Sequence, residues 1–155
     1  YKPDMGSVMD TEFVLVREFR SPARTENGFV TEFPSGSTSK STGVSSAVEE
    51  LEEETSIKID PSRLRKMDQL QLAGTMSAHT STLFAAELTK EERDKIEGLS
   101  GKTFGNKQET EVTYVELKTL KEIIALKSVD WTTLGMVLET LITDNRLSLR
   151  ILPKQ

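Results

Sequence analysis

The stretch Ser46-Ala47-Val48-Glu49-Glu50-Leu51-Glu52-Glu53-Glu54-Thr55-Ser56-Ile57 places five carboxylates in the six positions 49–54, with no Lys or Arg among them. From Ser45 to Thr55 there is no Gly or Pro, and Ala, Leu, Val and Glu dominate, so the spacing predicts a helix. Ser46 followed by Glu49 has the spacing of a capping box, although the helix could start a little earlier. At about 100° per residue, Glu50, Glu53 and Glu54 share one arc of roughly 100°, beside an arc of Ala47, Val48, Leu51 and Thr55 that can face a core. One helix can therefore pack on a sheet and still gather three carboxylates. Two readings stand side by side. An acidic helix is commonly a solvated face. Yet like charges at i,i+3 and i,i+4 cost stability, and an oxygen-rich anionic cluster suits a hard cation such as Mg²⁺ or Mn²⁺.

Upstream of this helix, Glu12 to Phe19 (EFVLVREF) alternates Phe13, Leu15 and Arg17 against Val14, Val16 and Glu18, the pattern of a strand with at least one buried face. Ser21 to Gly28 is a polar turn, Phe29 to Phe33 a second short strand, and Pro34 to Gly43 a loop rich in Ser, Thr and Gly. Downstream, Met67–Met76 and Thr80–Leu88 read as strands joined by a turn near Ser77–His79. Thr89–Ile96 reads as a short charged helix, Leu99–Thr110 as a polar loop with the length of a substrate lid, and Val112–Leu117 as a strand. Two helices follow, Leu120–Leu126 and Asp130–Ile142. In the second, Trp131, Leu134, Val137, Leu138 and Leu141 recur at helical spacing, which predicts Trp131 in the core. Leu147–Leu152 alternates like an edge strand. Strands in hairpin-like pairs mixed with helices indicate an α+β fold.

The whole chain of 155 residues suits a single domain. With 35% hydrophobic and 29% charged residues it has the composition of a soluble globular protein. No run approaches the roughly 18 apolar residues of a membrane span, and no basic leader with an apolar stretch opens the sequence, so no secretory signal is expected. The absence of cysteine excludes disulfides, thiolate zinc sites and thiol nucleophiles, and agrees with a cytoplasmic location. A net charge of −5 argues against bulk attraction to nucleic acid. A metal can still bring a phosphorylated ligand to an acidic domain. The chain begins at Tyr1 rather than Met, which leaves an upstream segment open.

Glu32-Phe33-Pro34-Ser35-Gly36 followed by Ser46 to Ile57 resembles the signature of the Nudix hydrolases: Gly, five residues, Glu, seven residues, then Arg-Glu-apolar-x-Glu-Glu-x-Gly-apolar. Val14 to Pro22 resembles the strand that precedes this box in the ADP-ribose pyrophosphatase branch, where the box is entered through a Glu-apolar-Pro-small-Gly turn. The likeness runs from about Phe13 to Ile142 and implies a Nudix fold, a mixed β-sheet sandwiched between helices. It also implies a divalent-metal-dependent pyrophosphohydrolase, with Mg²⁺ or Mn²⁺ held by Glu50, Glu53 and Glu54, and a nucleoside diphosphate linked to another moiety, ADP-ribose-like compounds favoured, as substrate. In the branch a further Glu before the late strand acts as base, and Glu109 or Glu111 falls there. Catalysis would rest on Glu53 with one of these two. Gly36 and Arg20 would meet the substrate, although Arg20 at a strand end can equally pair with a neighbouring acid. A homodimer is common in that branch. The signature is altered at three positions: its Arg falls on Glu49, its closing Gly on Ser56, and its first Glu near Ser41, with Gly36 to Glu49 one residue short. These changes support the rival reading, a Nudix-fold binding or regulatory domain with impaired catalysis.

Overall fold

The computed structural model describes residues 1–21, 23, 25–36, 43–104 and 112–147. Strand β1 (Glu12–Phe19) is the centre of the fold, since Phe13, Val14, Leu15 and Val16 are all buried. A strand apolar on both faces must be covered on both faces. Phe13 and Leu15 point to one side, where they pack with Leu120 and Ile123 of α3 (Leu120–Ala125), Val137 and Leu141 of α4 (Trp131–Thr143), and Leu147. Val14 points to the other, with Val115, Ile57, Ile59, Leu88 and Ile96, flanked by Leu51 of α1 (Val44–Thr55). Ile96 belongs to α2 (Lys90–Leu99). The sheet is thus a middle layer between two helical layers, within the α+β class. Cutting Leu15 or Phe13 back to Ala would cost about 2–5 kcal/mol at such positions.

The sheet has four strands in the order β2-β1-β6-β5, with β2 at Phe29–Glu32, β5 at Thr103–Phe104 and β6 at Thr113–Thr119. A separate hairpin pairs β3 (Arg65–Gln71) with β4 (Thr80–Ala85). Every strand pairing among the described residues is antiparallel. This corrects the mixed sheet expected above. The connections from β1 to β2, from β3 to β4 and from β5 to β6 are each short enough to return the chain directly, and short returns force antiparallel pairing.

Three local expectations also change. α1 begins at Val44 with Gly43 as N-cap and no side-chain cap, so Ser46 and Glu49 lie inside the helix and not at its mouth. Capping boxes form instead at Thr89 with Glu92 and at Thr119 with Glu122, where the threonine closes the end of a preceding extended segment. Trp131 is 88% exposed, not core. α4 turns Thr133, Val137, Thr140 and Leu141 inward. The Thr140 hydroxyl donates to its own helix at Met136 O, 2.8 Å away, so burying it leaves no unmet polar group. The predicted lid at 99–110 resolves in part into the end of α2 and strand β5; its remainder lies outside the described residues. So does the predicted edge strand beyond Leu147. No helix of the described residues is long and apolar enough to cross a membrane.

Candidate functional site

Alternation along β1 decides what α1 meets. Val14, Val16 and Glu18 share one face of the strand, and the register sets Val16 opposite Glu32 of β2 and opposite Val115 of β6. Two acids, Glu18 and Glu32, therefore stand on the sheet face that α1 covers. Arg20, just past β1, continues the same alternation. Its Nη2 lies 2.7 Å from Glu32 Oε1 and 3.0 Å from Glu18 Oε2, and its Nε donates to Glu32 at 3.2 Å. Of the two roles open to Arg20, pairing with acids is the one this geometry displays. The odd-numbered face carries different chemistry: Arg17 lies over the rings of Phe29 and Tyr114, 4.7 and 4.6 Å from their centres, and pairs with Glu116.

α1 presents its acids unequally. Glu54 is buried, Glu50 half-buried, and Glu49 and Glu53 are exposed. The backbone N–H of Ser35 donates to Glu54 Oε2 at 3.2 Å. At Gly36 a Cβ would collide with the Glu50 carboxylate, so the absence of a side chain there lets the loop close over the helix. The segment Ser35-Gly36 and the pair Glu50/Glu54 are in this way one local unit. Burial pushes the Glu54 carboxyl up to about 8; the Ser35 N–H opposes the shift, and Glu50, Glu18 and Glu32 reinforce it by repulsion. Four carboxylates from one helix and two strands thus feel each other across the face, and Arg20 answers two of them.

The helix closes at Ser56, which adopts the left-handed conformation with φ 56° and ψ 19°. Glycine would adopt this conformation at less cost than serine. Ser56 N–H still donates to Glu52 O at 2.8 Å, and Lys95 Nζ reaches Ser56 O at 2.6 Å, tying α2 to the end of α1.

The structure brings Glu50, Glu54, Gly36 and Arg20 into one neighbourhood, whereas Glu53 looks outward. Glu109 and Glu111 lie outside the described residues, as does Ser41. Among the described residues no three His, Cys, Asp or Glu side chains stand together closely enough to hold one metal ion. Two members of the cluster, Glu18 and Glu32, went unassigned in the sequence reading. Glu18 had a signal, an acid on the apolar side of a buried strand. Glu32 needed the cross-strand register, which no single-strand pattern supplies. No family model matches this sequence, and no curated protein is similar enough to count as a match.

Proposed function

We propose that this domain binds a nucleoside diphosphate derivative, ADP-ribose-like compounds favoured, through a divalent cation, and hydrolyses its diphosphate in the manner of a Nudix hydrolase. The observation that carries the reading is the convergence of Glu50 and Glu54 with Glu18 and Glu32 beside the glycine at 36. Like charges gathered on one face cost stability in the metal-free fold, and that cost is offset when a cation joins the folded state. The oxygen-only donor set fits Mg²⁺ or Mn²⁺ in kind, with Glu50 and Glu54 as its holders and Glu53 joining by a change of side-chain rotamer. When bound, such a cation supplies positive charge to the diphosphate and acidifies the attacking water. The chain's own part is positional. Ser35 N–H fixes Glu54, Gly36 leaves room for Glu50, and Arg20 would turn to an anionic ligand only at the expense of its pairing with Glu18 and Glu32.

A second reading is favoured by a specific observation: Glu53 is exposed, and Glu49 stands beside it at i,i+4, where an Arg would pair with it and hold it in place. A domain that binds the same ligand without efficient turnover follows from that arrangement. One experiment separates the two. A panel of nucleoside diphosphate derivatives is incubated with Mg²⁺ and with Mn²⁺, and release of phosphomonoester is followed beside calorimetric binding. Turnover with metal dependence supports hydrolysis, and saturable metal-dependent binding without product supports the second reading. A panel that neither binds nor reacts overturns both.

A further inference from the structure

We propose that a cleft between the base of the β3-β4 hairpin and the end of α4 is a second binding site, which takes the phosphate of a small phosphomonoester on Arg65, Arg146 and Arg63. The proposal is independent of the reading of the carboxylate site. Tyr1 lines the cleft, and its neighbour Lys2 bridges by backbone hydrogen bonds to Glu12, at the start of β1. Glu18 stands near the other end of the same strand, roughly 20 Å away at a strand's rise per residue. The cleft has a volume of about 360 Å³, at the small end of the range of ligand sites.

The three arginines differ in what holds them. Arg63 makes a two-pronged pair with Glu92, at 2.6 and 2.9 Å, and donates to Glu87 O. Arg146 donates to Asp144 from Nε and Nη2, at 3.0 and 2.6 Å, and to Glu87 at 2.8 Å. Arg65 is exposed and donates to the last carbonyl of α4, Thr143 O, at 2.6 Å. It meets no carboxylate among the described residues. A guanidinium has five N–H donors, so most of those on Arg65, and its charge, are left for a ligand. Asp144 does not answer that charge, because its oxygens already accept from Arg146 and from the Tyr1 hydroxyl. Arg65 and Arg146 converge on one point. Both oppose the rise of the Tyr1 hydroxyl to about 12, which burial and then Asp144 impose.

Around the cleft, four basic side chains, Lys2, Arg63, Arg65 and Arg146, stand with three acidic ones, Glu87, Glu92 and Asp144. The surplus is positive in a chain whose net charge is −5. An anion is therefore the ligand this cleft suits, and the arginines say which kind. One guanidinium fork satisfies both oxygens of a carboxylate. A phosphomonoester carries close to two charges and three terminal oxygens, and suits guanidiniums arriving from several directions. Arg63 and Arg146 are already held by acids, so little side-chain freedom is lost when the anion arrives. None of residues 148–155 is Asp or Glu, so the tail brings the arginines no acidic side chain.

Titration of the isotope-labelled full chain with glycerol phosphate, in a chelator and at constant ionic strength, tests this through the backbone amide shifts. The chelator prevents a cation from carrying phosphate to the carboxylate site. The amides of Ala85, Glu87 and Asp144 should move saturably, with a dissociation constant on the order of 0.1–1 mM. Arg65→Ala should weaken binding about tenfold or more, the loss expected for hydrogen bonds to a charged group. Arg65→Lys keeps the charge without the fork and should fall between. Melting curves without ligand check that both variants stay folded. Inorganic phosphate should bind about threefold more weakly, because it leaves the rest of the cleft unfilled, and acetate about tenfold more weakly or worse. Arg20→Ala should leave the affinity for glycerol phosphate unchanged. Shifts that do not saturate by about 20 mM overturn the proposal. So does an Arg65→Ala variant that binds like wild type, and so does acetate binding as tightly as the phosphates, since the cleft would then read charge alone. Inorganic phosphate binding more tightly than the ester overturns the assignment to a phosphomonoester. Binding lost on Arg20→Ala would place the anion at the carboxylate site and overturn the second site.

Discussion

Replacing Glu54 by Gln should stabilise the metal-free protein, and by an amount that grows with pH. Glu54 is buried beneath the Ser35-Gly36 segment, with burial first, and Glu50, Glu18 and Glu32 after it, raising its pKa from the ordinary 4.5 to about 8. A carboxyl whose folded-state pKa lies above its unfolded value favours the folded state fully below the unfolded value. That contribution drains away as pH rises through the folded one. Each pH unit between 4.5 and 8 withdraws about 1.4 kcal/mol. By pH 7 the loss is on the order of 3 kcal/mol, reduced to about 2 kcal/mol if water reaches the carboxyl as it ionises. Glutamine keeps an oxygen for the Ser35 N–H and carries no proton to lose. The difference between variant and wild type should therefore be small at pH 4.5 and reach about 3–4 kcal/mol in favour of Gln by pH 8.

Guanidinium denaturation of both proteins in a chelator, at intervals from pH 4.5 to 8, measures this directly. Asp144, Glu92 and Glu122 are all held below the ordinary carboxylate range. Their contribution is lost as pH falls, and it cancels between the two proteins. Adding Mg²⁺ or Mn²⁺ should restore the wild type toward the variant at pH 8, because a cation offsets the charge that burial penalises. A difference that stays constant across the pH range would refute the assignment of strain to Glu54. So would a Gln variant less stable at pH 8 than at pH 5 relative to wild type.

Four further outcomes follow from named contacts. Ser56→Gly should stabilise the protein by about 0.5–1 kcal/mol, read as a higher melting temperature, because φ 56° costs serine more than glycine. Gly36→Ala should leave the melting temperature within a degree or two, since the obstacle is the flexible end of Glu50, while weakening Mn²⁺ affinity in a calorimetric titration. Asp144→Asn should cost about 2 kcal/mol near neutral pH, because Asp144 accepts from Arg146 at 2.6 Å and from the Tyr1 hydroxyl at 2.7 Å. In denaturation at acid pH the gap should close, as the depressed Asp144 becomes protonated. Glu49→Arg places a cation at i,i+4 from Glu53, and metal-dependent turnover should rise if Glu53 lacks only an orienting partner; a fall in metal affinity instead would make Glu49 a ligand.

The elements were legible because each rests on a local pattern. The boundaries of β1 follow from its alternation, and the helical layers follow from Leu120, Ile123, Val137, Ile96 and their spacing. The strand directions were not, since direction is set by where the chain returns and not by any residue in the strand. Trp131 shows a different failure. Periodicity ranks residues by hydrophobicity, so it placed a tryptophan inward. α4 instead exposes Trp131 and buries Thr133 and Thr140, and Thr140 meets its hydrogen bond within the helix.

The site divides along the same line. Of the arc one helix could specify, Glu50, Glu53 and Glu54, the fold sets Glu50 and Glu54 beside Ser35-Gly36 and leaves Glu53 exposed. What depends on two segments meeting could not be read from either of them. Gly36 does not name Glu50 as the side chain its missing Cβ makes room for, and Glu32 does not name Val16 as its neighbour across the strand. Yet those two meetings turn an acidic helix into an acidic cluster. They bring Glu18 and Glu32 within electrostatic range of Glu54 and give Arg20 two partners to hold or release. An acid facing the buried side of a central strand is therefore a stronger sign of a site than an acid on an acidic helix. A helix has an outer face on which to spend its charges, whereas Glu18 sits in the middle layer, on a face the fold covers, and is nine-tenths buried there.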